Sequence, residues 1–155
     1  MSDFDKAFPI ILEFEGGYDN DPNDPGGETK YGICKRNYPH LDIKNLTVEQ
    51  AKEIYRKDYW DAVKCNVTPW PFNLVLFDTA VNQGQGIAPK LLQKAVGVTE
   101  DGKIGSVTIN ACNNAGIDKI VSFLVLRALR YAQTKNFERY GRGWMTRIFT
   151  LMTKL

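Results

Sequence analysis

The chain is poor in the residues that build disulfide frameworks and zinc sites. Its 155 residues include three cysteines and one histidine. Cys34, Cys65 and Cys112 are odd in number and far apart, so we expect reduced thiols that fill the core. Neither CxxC nor HExxH occurs, which argues against a zinc site. The sequence therefore predicts neither a metal nor a cofactor.

Two loops share features with ligand-binding motifs but lack a required residue. The acidic segment 19–30 has Asp24 where a calcium loop needs glycine, and Lys30 where it needs glutamate. The segment 84–86 reads Gly-Gln-Gly, but Pro89 stands at the position of the third glycine of a nucleotide-binding loop. We therefore expect neither calcium nor a nucleotide at these loops.

A long apolar run is also missing. A membrane-spanning helix needs roughly 20 apolar residues, and no stretch approaches that length. The apolar segment 8–12 is too short for the core of a secretion signal, and the acidic residues Asp3 and Asp5 precede it. We therefore expect a soluble protein made in the cytoplasm, which another factor would have to release towards a substrate outside the membrane.

The composition is that of a folded chain with an uneven charge. Hydrophobic residues make up 43% of the sequence and aromatic residues 12%, enough for the core of one domain or of a main lobe with a smaller one. The net charge is +2, but residues 1–33 hold eight acids and residues 118–155 hold eight bases. Such a molecule could orient on an anionic polymer; a solvated basic face on the last helices is the alternative.

Apolar periodicity predicts a mainly helical chain. The first helix has apolar residues at helical spacing over 4–12, with Ser2 or Asp3 as its N-cap. Pro9 should kink this helix or delay its start, and Gly16 should end it.

Local signals place the other elements. Thr47 and Gln50 form a capping box, Ser106 could cap another helix, and a small hairpin is predicted over 29–33. Further helices are predicted over 47–60, 72–83, 87–96, 107–115 and 118–140, and, after Gly141 and Gly143, over 144–155.

The end of the first helix carries the residues that indicate chemistry. Glu15 is followed by two glycines, by Asp24 nine residues later and by Thr29 five residues after that. Two carboxylates on separate elements, on either side of a cleft, are what cleavage of a glycosidic bond requires. The alternative is a helix C-cap at Gly16 with an ordinary solvated turn after it.

The combination of motifs resembles a known family. The N-terminal set is Glu15-Gly16-Gly17-Tyr18, Asn20-Asp21-Pro22, Gly26-Gly27, Thr29 and Tyr31-Gly32-Ile33. The downstream set is Tyr59-Trp60-Asp61, Phe77-Asp78-x-Ala80-Val81-Asn82-x-Gly84, Leu92-Gln93-x-Ala95-Val96-Gly97-Val98, Asp101-Gly102-x-Ile104-Gly105 and Thr108. The first set resembles glycoside hydrolase family 108, the muramidases of phages and bacteria that include a secretion-activator type. The second resembles the family's companion peptidoglycan-binding segment. The main departure of this chain from the family pattern is Pro9, in the first helix.

The resemblance implies a mainly α, lysozyme-like two-lobed fold with a small β-hairpin near the active site. Residues 1–77 would form the muramidase catalytic segment and residues 78–155 a peptidoglycan-binding-like helical segment, packed as one lysozyme-like body. The implied activity is cleavage of the β-1,4 bond between N-acetylmuramic acid and N-acetylglucosamine. Alternatives are a lytic transglycosylase that uses Glu15 alone, and a non-catalytic peptidoglycan-binding or secretion-associated protein.

The resemblance also implies partners and a place of action. The expected partner is the glycan strand of peptidoglycan, and nucleic acid is not expected as a partner. The protein would act as a monomer. As an endolysin it would reach the cell wall through a holin and lyse the host cell. The last helix carries Trp144, Ile148, Phe149, Leu151 and Met152, which could dock on the body or lie on an anionic envelope. We expect docking.

The site residues follow from the same resemblance. Glu15 would protonate the glycosidic oxygen, and Asp24 and Thr29 would handle the attacking water. Phage-type lysozymes show a similar Glu, Asp and Thr arrangement, with Thr29 one residue closer to the Asp here. Asp21 and Glu28 are the rival second carboxylates.

Substrate-binding candidates are aromatic residues that could stack on sugar rings and amides that could bond acetyl or peptide groups. They are Tyr18, Tyr31, Tyr59, Trp60, Asn82 and Gln93. Core packing is the alternative for the aromatic residues, and buried structural hydrogen bonds for the amides. Asp78 lies in a very apolar helix and is interpreted as a structural partner.

Overall fold

The computed structural model describes residues 1–155, which form seven α-helices and one two-stranded antiparallel sheet. The chain divides into two units, Met1–Asp58 and Tyr59–Leu155. The functional boundary expected after residue 77 falls inside a helix, so it does not coincide with this division. None of the helices combines the length and the apolar character that a bilayer crossing requires.

The first unit contains α1 (Asp3–Glu15), β1 (Thr29–Lys30), β2 (Ile33–Cys34) and α2 (Val48–Tyr55), and a π-helical turn over Arg56–Asp61 continues α2. Both helices begin at capping boxes; the one at Thr47 was predicted, and at α1 the prediction was an N-cap at Ser2 or Asp3. The Ser2 hydroxyl accepts from the Asp5 N–H, and the Thr47 hydroxyl accepts from the Gln50 N–H.

Helix α1 starts at Asp3, so Pro9 does not delay it. The proline lies on the exposed side, where water can bond the carbonyl that its missing N–H leaves unpaired. Phe4, Phe8 and Ile11 are buried on the opposite side. Apolar burial therefore outweighs the local cost of proline.

The predicted hairpin is confirmed, and a third segment joins it. Thr29 pairs with Cys34 and Lys30 with Ile33. Asp19 also pairs with Thr29 through two backbone hydrogen bonds of 2.8 Å. The loop between α1 and β1 is thus tied back along the hairpin.

The second unit contains α3 (Phe72–Gln83), α4 (Ala88–Val96), α5 (Ser106–Asn113), α6 (Ile117–Ala132) and α7 (Phe137–Met152). The segment 72–80 of α3 is buried along its whole length, and α3 packs against α4 and α6. A helix that is apolar on all sides is typical of a core position. The predicted bounds of α3 are confirmed, with Gly84 as its C-cap.

Asp78 is the charged residue at the centre of this unit. Its carboxylate is fully buried and accepts hydrogen bonds from Arg127 of α6 and from Arg147 of α7, the latter at 2.8 Å and 3.0 Å. Burial alone would raise the pKa of the Asp78 carboxyl, but the two guanidinium groups hold that pKa below its ordinary value. The structural interpretation of Asp78 is confirmed.

Several of the predicted helix boundaries are wrong. Helix α5 begins at Ser106 with Gly105 as N-cap, so Ser106 is not the cap. The long helix predicted over 118–140 is broken after residue 132, where the Thr134 hydroxyl donates 2.8 Å to the Tyr131 carbonyl. Such a side-chain bond competes with the helical ladder.

The glycines predicted to precede the last helix lie inside α7. A Cβ added at Gly141 would lie 2.7 Å from the Phe137 ring, so the ring covers the glycine one turn later. This glycine permits close packing rather than ending a helix.

Helix α7 docks through one side. Ile148 and Leu151 are 4% and 0% exposed, and the Trp144 ring stacks on Tyr131 at 4.6 Å. Docking is therefore what the structure shows, but Phe149 is 66% exposed and does not belong to the docked face.

The cysteines are free thiols, as expected. Cys65 and Cys112 are buried, and burial raises the pKa of the Cys112 thiol to about 11. Cys34 is half-buried on β2.

Candidate active site

Glu15 is the last residue of α1, and Gly16 ends the helix with a positive φ of 67°. The Glu15 side chain is half-buried. A Cβ added at Gly32 would lie 2.7 Å from Glu15 Oε2. The carboxylate therefore lies against the turn that joins β1 to β2.

This turn has a demanding backbone. Tyr31 and Gly32 connect the paired residues Lys30 and Ile33, and their φ angles are 53° and 77°. Positive φ at both central residues is the requirement of a type I′ hairpin turn. A positive φ is sterically unfavourable for Tyr31, because it is not a glycine. A strained backbone beside a candidate catalytic residue such as Glu15 is typical of a functional site.

Asp24 lies on the exposed loop before β1. Its Oδ1 accepts from the Gly26 N–H at 2.7 Å, and its backbone carbonyl accepts from Gly27 at 3.0 Å. The Gly26 carbonyl in turn accepts from Arg36 N–H at 3.1 Å. The loop that carries Asp24 is thus fixed to the chain that follows β2, and Asp24 Oδ2 makes no hydrogen bond within the protein.

Thr29 lies on β1, two residues before the Tyr31–Gly32 turn. Its backbone pairs with Asp19 and Cys34. Its hydroxyl is 3.5 Å from the Gly27 carbonyl, a separation at the limit of a hydrogen bond. The strand therefore holds Thr29 in place while its hydroxyl stays available to another partner.

The rival carboxylates are engaged locally. Glu28 accepts a 2.9 Å hydrogen bond from the Tyr18 hydroxyl, and this bond raises the pKa of Tyr18. Asp21 Oδ1 accepts from the backbone and side-chain nitrogens of Asn23 at 2.8 Å and 3.2 Å. Both contacts stabilise the loop.

The four aromatic candidates differ in exposure. Tyr18 is 42% exposed, and Tyr31 and Tyr59 are half-buried. The Lys30 ammonium lies 5.3 Å from the Tyr31 ring centre. Trp60 is 3% exposed and packs edge-on against Phe77 at 5.3 Å, which is the contact of a core residue.

The two amide candidates lie in the second unit. Gln93 is 1% exposed, its Nε2 donates to Asp101 at 2.7 Å, and its Oε1 accepts from Gly102 at 2.8 Å. These bonds hold the 101–105 loop, which matches the structural alternative, although Gln93 also borders a cavity of about 410 Å³. Asn82 Oδ1 is buried without a hydrogen-bond partner.

Groups of three or more His, Cys, Asp or Glu side chains that could hold a metal ion do not occur. Tyr55 is a residue of the site that the sequence pattern did not distinguish. It follows Ala51 on the buried face of α2, a position that predicts core packing. Its hydroxyl donates 2.8 Å to the Tyr31 carbonyl and lies over Gly32 beside Glu15.

This chain is similar to known proteins in both sequence and structure. The family model Glycosyl hydrolase 108 matches residues 8–84. The structure of Brucella abortus SagA matches with a TM-score of 0.85 and 32% identity, covering 97% of this chain and 92% of that one. None of the curated proteins matches the sequence. The predicted mainly α, lysozyme-like fold class is confirmed. The chain therefore belongs to glycoside hydrolase family 108, a family of peptidoglycan hydrolases.

Proposed function

We propose that this protein is an N-acetylmuramidase that hydrolyses the β-1,4 bond between N-acetylmuramic acid and N-acetylglucosamine. The observation that supports this function is the placement of Glu15. Its half-buried carboxyl lies at a helix end against the Tyr31–Gly32 turn, and Asp24 and Thr29 lie on the chain that enters the same hairpin. Glycoside hydrolysis needs an acid and a second group that handles water.

Glu15 acts as the general acid. Its carboxyl gives a proton to the glycosidic oxygen as the bond from that oxygen to the anomeric carbon of N-acetylmuramic acid breaks. The N-acetylglucosamine residue leaves with a free hydroxyl, and positive charge develops on the remaining sugar ring. One water attacks the anomeric carbon and gives up its proton to Asp24 or to solvent, and proton exchange with solvent then returns Glu15 to its acid form.

Asp24 and Thr29 handle that water. Asp24 Oδ1 is held by Gly26, which leaves Oδ2 to accept the water's proton or to stabilise the developing positive charge. The Thr29 hydroxyl, weakly engaged by Gly27, orients the water. Both groups sit on backbone that is fixed by hydrogen bonds, so little ordering is required during turnover.

Aromatic side chains near Glu15 bind the glycan. Tyr18 precedes the acidic loop and Tyr31 forms the turn, and each ring offers a flat face to a pyranose. Tyr59 and Asn82 are further candidates of this proposal. Trp60 and Gln93 contribute through packing and loop structure.

The biological setting is also part of the proposal. The protein is made in the cytoplasm, passes the membrane through a holin and acts as a monomeric, bacteriolytic endolysin on the cell wall. The basic segment 118–155, which suits an anionic wall, supports action at the cell wall.

The test uses purified sacculi and mass spectrometry of the released fragments. The wild-type protein should lower the turbidity of sacculi and release fragments with hydrated N-acetylmuramic acid ends. Glu15→Gln should keep the fold and lose on the order of 10²–10⁴-fold in rate, because glutamine cannot deliver a proton. Glu53→Gln is the matched control, since Glu53 is an exposed carboxylate of the same unit.

Three results would contradict the proposal in different ways. Anhydro-muramic ends would show a lytic transglycosylase, in which the sugar's own hydroxyl replaces water. Binding to sacculi without any released fragment would show a non-catalytic binding protein. Retention of more than about a tenth of the activity in Glu15→Gln would show that Glu15 is not the acid.

A further inference from the structure

One cation next to the candidate site has no partner in the protein. The hairpin and the turn after it carry three basic side chains, Lys30, Lys35 and Arg36. The Lys30 ammonium donates to the Lys44 carbonyl at 3.0 Å, and the Lys35 ammonium donates to the Leu41 carbonyl at 2.6 Å. Arg36 is exposed, and its guanidinium makes neither a hydrogen bond nor an ion pair within the protein. Of the three, Arg36 is therefore the one that is available to a ligand.

The backbone of Arg36 is fixed to the loop that carries Asp24. The Arg36 N–H donates to the Gly26 carbonyl at 3.1 Å, and the Gly26 N–H donates to Asp24 Oδ1 at 2.7 Å. The same glycine thus holds the Asp24 carboxylate at one end and Arg36 at the other. Because arginine has a long side chain, its guanidinium can reach a molecule that Asp24 contacts.

Gly26 permits this close approach. A Cβ at this position would lie 3.1 Å from Asp24 Oδ1 and 3.9 Å from the Cβ of Cys34. The first distance is tighter than ordinary van der Waals contact, so a side chain here would displace the Asp24 carboxylate. The glycine therefore keeps Asp24 close to the chain that follows β2, where Arg36 lies.

The surroundings of Arg36 are acidic. The segment between α1 and β1 carries four carboxylates, those of Asp19, Asp21, Asp24 and Glu28. None of them forms an ion pair with Arg36. An anionic substrate would be repelled by these carboxylates, so an unpaired cation beside them offsets the repulsion. The planar fork of N–H donors on a guanidinium fits a carboxylate.

The substrate of the proposed function carries such a group. N-acetylmuramic acid differs from N-acetylglucosamine in a lactyl ether at O3. The carboxyl of this ether is either free or linked by an amide bond to the peptide stem, which has carboxylates of its own. A chitin chain has none. A cation beside the cleaved bond therefore favours peptidoglycan over chitin, a distinction that Glu15 and Asp24 do not make by acting on the glycosidic bond.

We propose that Arg36 is a specificity-determining residue that binds a carboxylate of the lactyl group or of the peptide stem next to the cleaved bond, an inference that rests on the proposed function. The guanidinium donates two parallel N–H bonds to this carboxylate. Arg36 takes no part in proton transfer, so it stabilises the bound substrate and the transition state alike. Loss of its side chain raises KM and leaves kcat unchanged.

The test uses three soluble glycan strands of equal length. The first carries free lactyl carboxylates, the second carries peptide stems, and the third has its lactyl carboxyls converted to methyl amides. The wild type should show a KM about fivefold lower for a charged strand than for the amide strand, as expected for one exposed ion pair with good geometry. Arg36→Gln should show the high KM of the amide strand on all three, at unchanged kcat. The charged strand that loses more of its advantage identifies the source of the carboxylate.

Two further variants separate the guanidinium from general effects. Lys44→Gln is the matched control, because Lys44 is an exposed cation of the same unit whose ammonium makes no hydrogen bond. It removes the same charge and should leave all three KM values unchanged. Arg36→Lys keeps the charge without the fork, so its KM for the charged strand should lie between those of the wild type and Arg36→Gln. Each Arg36 variant keeps the N–H that bonds Gly26, and equal thermal unfolding midpoints would verify the fold.

Several results would overturn the role of Arg36. They are a wild-type KM that is equal for charged and amide strands, an equal rise of KM on all strands in Arg36→Gln, a fall of kcat at unchanged KM, and a rise of KM in Lys44→Gln as large as in Arg36→Gln. The proposed function would survive each of them as long as the wild type hydrolyses the strands and Glu15→Gln does not. A wild type that hydrolyses none of the strands would end both.

Discussion

The Tyr18 hydroxyl donates a 2.9 Å hydrogen bond to Glu28, ten residues along the chain. This bond occupies the carboxylate nearest to Thr29 in sequence and ties the segment after α1 to the start of β1. Asp24 is held differently, since one of its oxygens bonds the backbone of Gly26 and the other makes no bond in the protein. The difference favours Asp24 over Glu28 as the carboxylate that meets water.

The first prediction separates these two carboxylates. Asp24→Asn should lower turnover by about 10²-fold, because the amide cannot accept a proton, with little change in binding to sacculi. Glu28→Gln should lower activity by less than about threefold, since the amide oxygen can still accept from Tyr18. Rates and sacculus binding of both variants are the measurement. A fully active Asp24→Asn beside an inactive Glu28→Gln would transfer the role to Glu28.

The second prediction concerns the Thr29 hydroxyl. Thr29→Ala keeps the backbone pairs with Asp19 and Cys34, so the hairpin should remain folded. Turnover should fall by roughly tenfold, as expected for one lost hydrogen bond to a reacting water. Thr29→Ser keeps a hydroxyl and should retain most of the activity. Equal losses in both variants would point to packing of the methyl group rather than to the hydroxyl.

The third prediction follows from the buried ion cluster. The pKa of Asp78 is below its ordinary value in the folded state, so its ionised form stabilises the fold above the unfolded pKa of about 4. That stabilisation is lost as pH falls through the lower, folded pKa. Asp78→Asn should lose about 3–5 kcal/mol at neutral pH, because Arg127 and Arg147 would be left without their counter-charge.

Thermal unfolding of the Asp78→Asn variant between pH 3 and pH 7 is the measurement for this prediction. Its stability should depend less on pH below about 4 than that of the wild type. Asp118→Asn is the control, since Asp118 is an exposed aspartate of the same unit. A neutral-pH stability like that of the wild type would show that the cluster contributes nothing net.

The fourth prediction tests the docked face of α7. Leu151 is fully buried, so Leu151→Ala should cost about 2–5 kcal/mol in the free energy of unfolding. Phe149→Ala, two residues earlier and 66% exposed, should change stability by no more than about 0.5 kcal/mol. Thermal or denaturant unfolding of the pair is the check. Equal and small losses would mean that α7 is not packed on its own unit in solution.

Much of the local structure could be predicted because its causes lie within a few residues. Ser2 and Thr47 cap helices through N–H groups three positions away. Gly16 and Gly97 end helices because their own backbones take positive φ. The Tyr31–Gly32 turn is also local, because only these two residues separate the paired residues Lys30 and Ile33. For the same reason, the sequence placed Glu15 at the end of a helix, next to an acidic loop.

The remaining features depend on contacts between distant parts of the chain, and only the tertiary structure decided them. Asp78 meets Arg147 across 69 positions, and Tyr55 meets Tyr31 across 24. The sequence alone determined a helical protein with an acidic candidate site, because capping, turns and periodicity are local properties. Packing decided which aromatic ring is buried, which glycine lies under a ring and which hydroxyl borders Glu15. Each of these depends on surfaces that meet only when the chain folds.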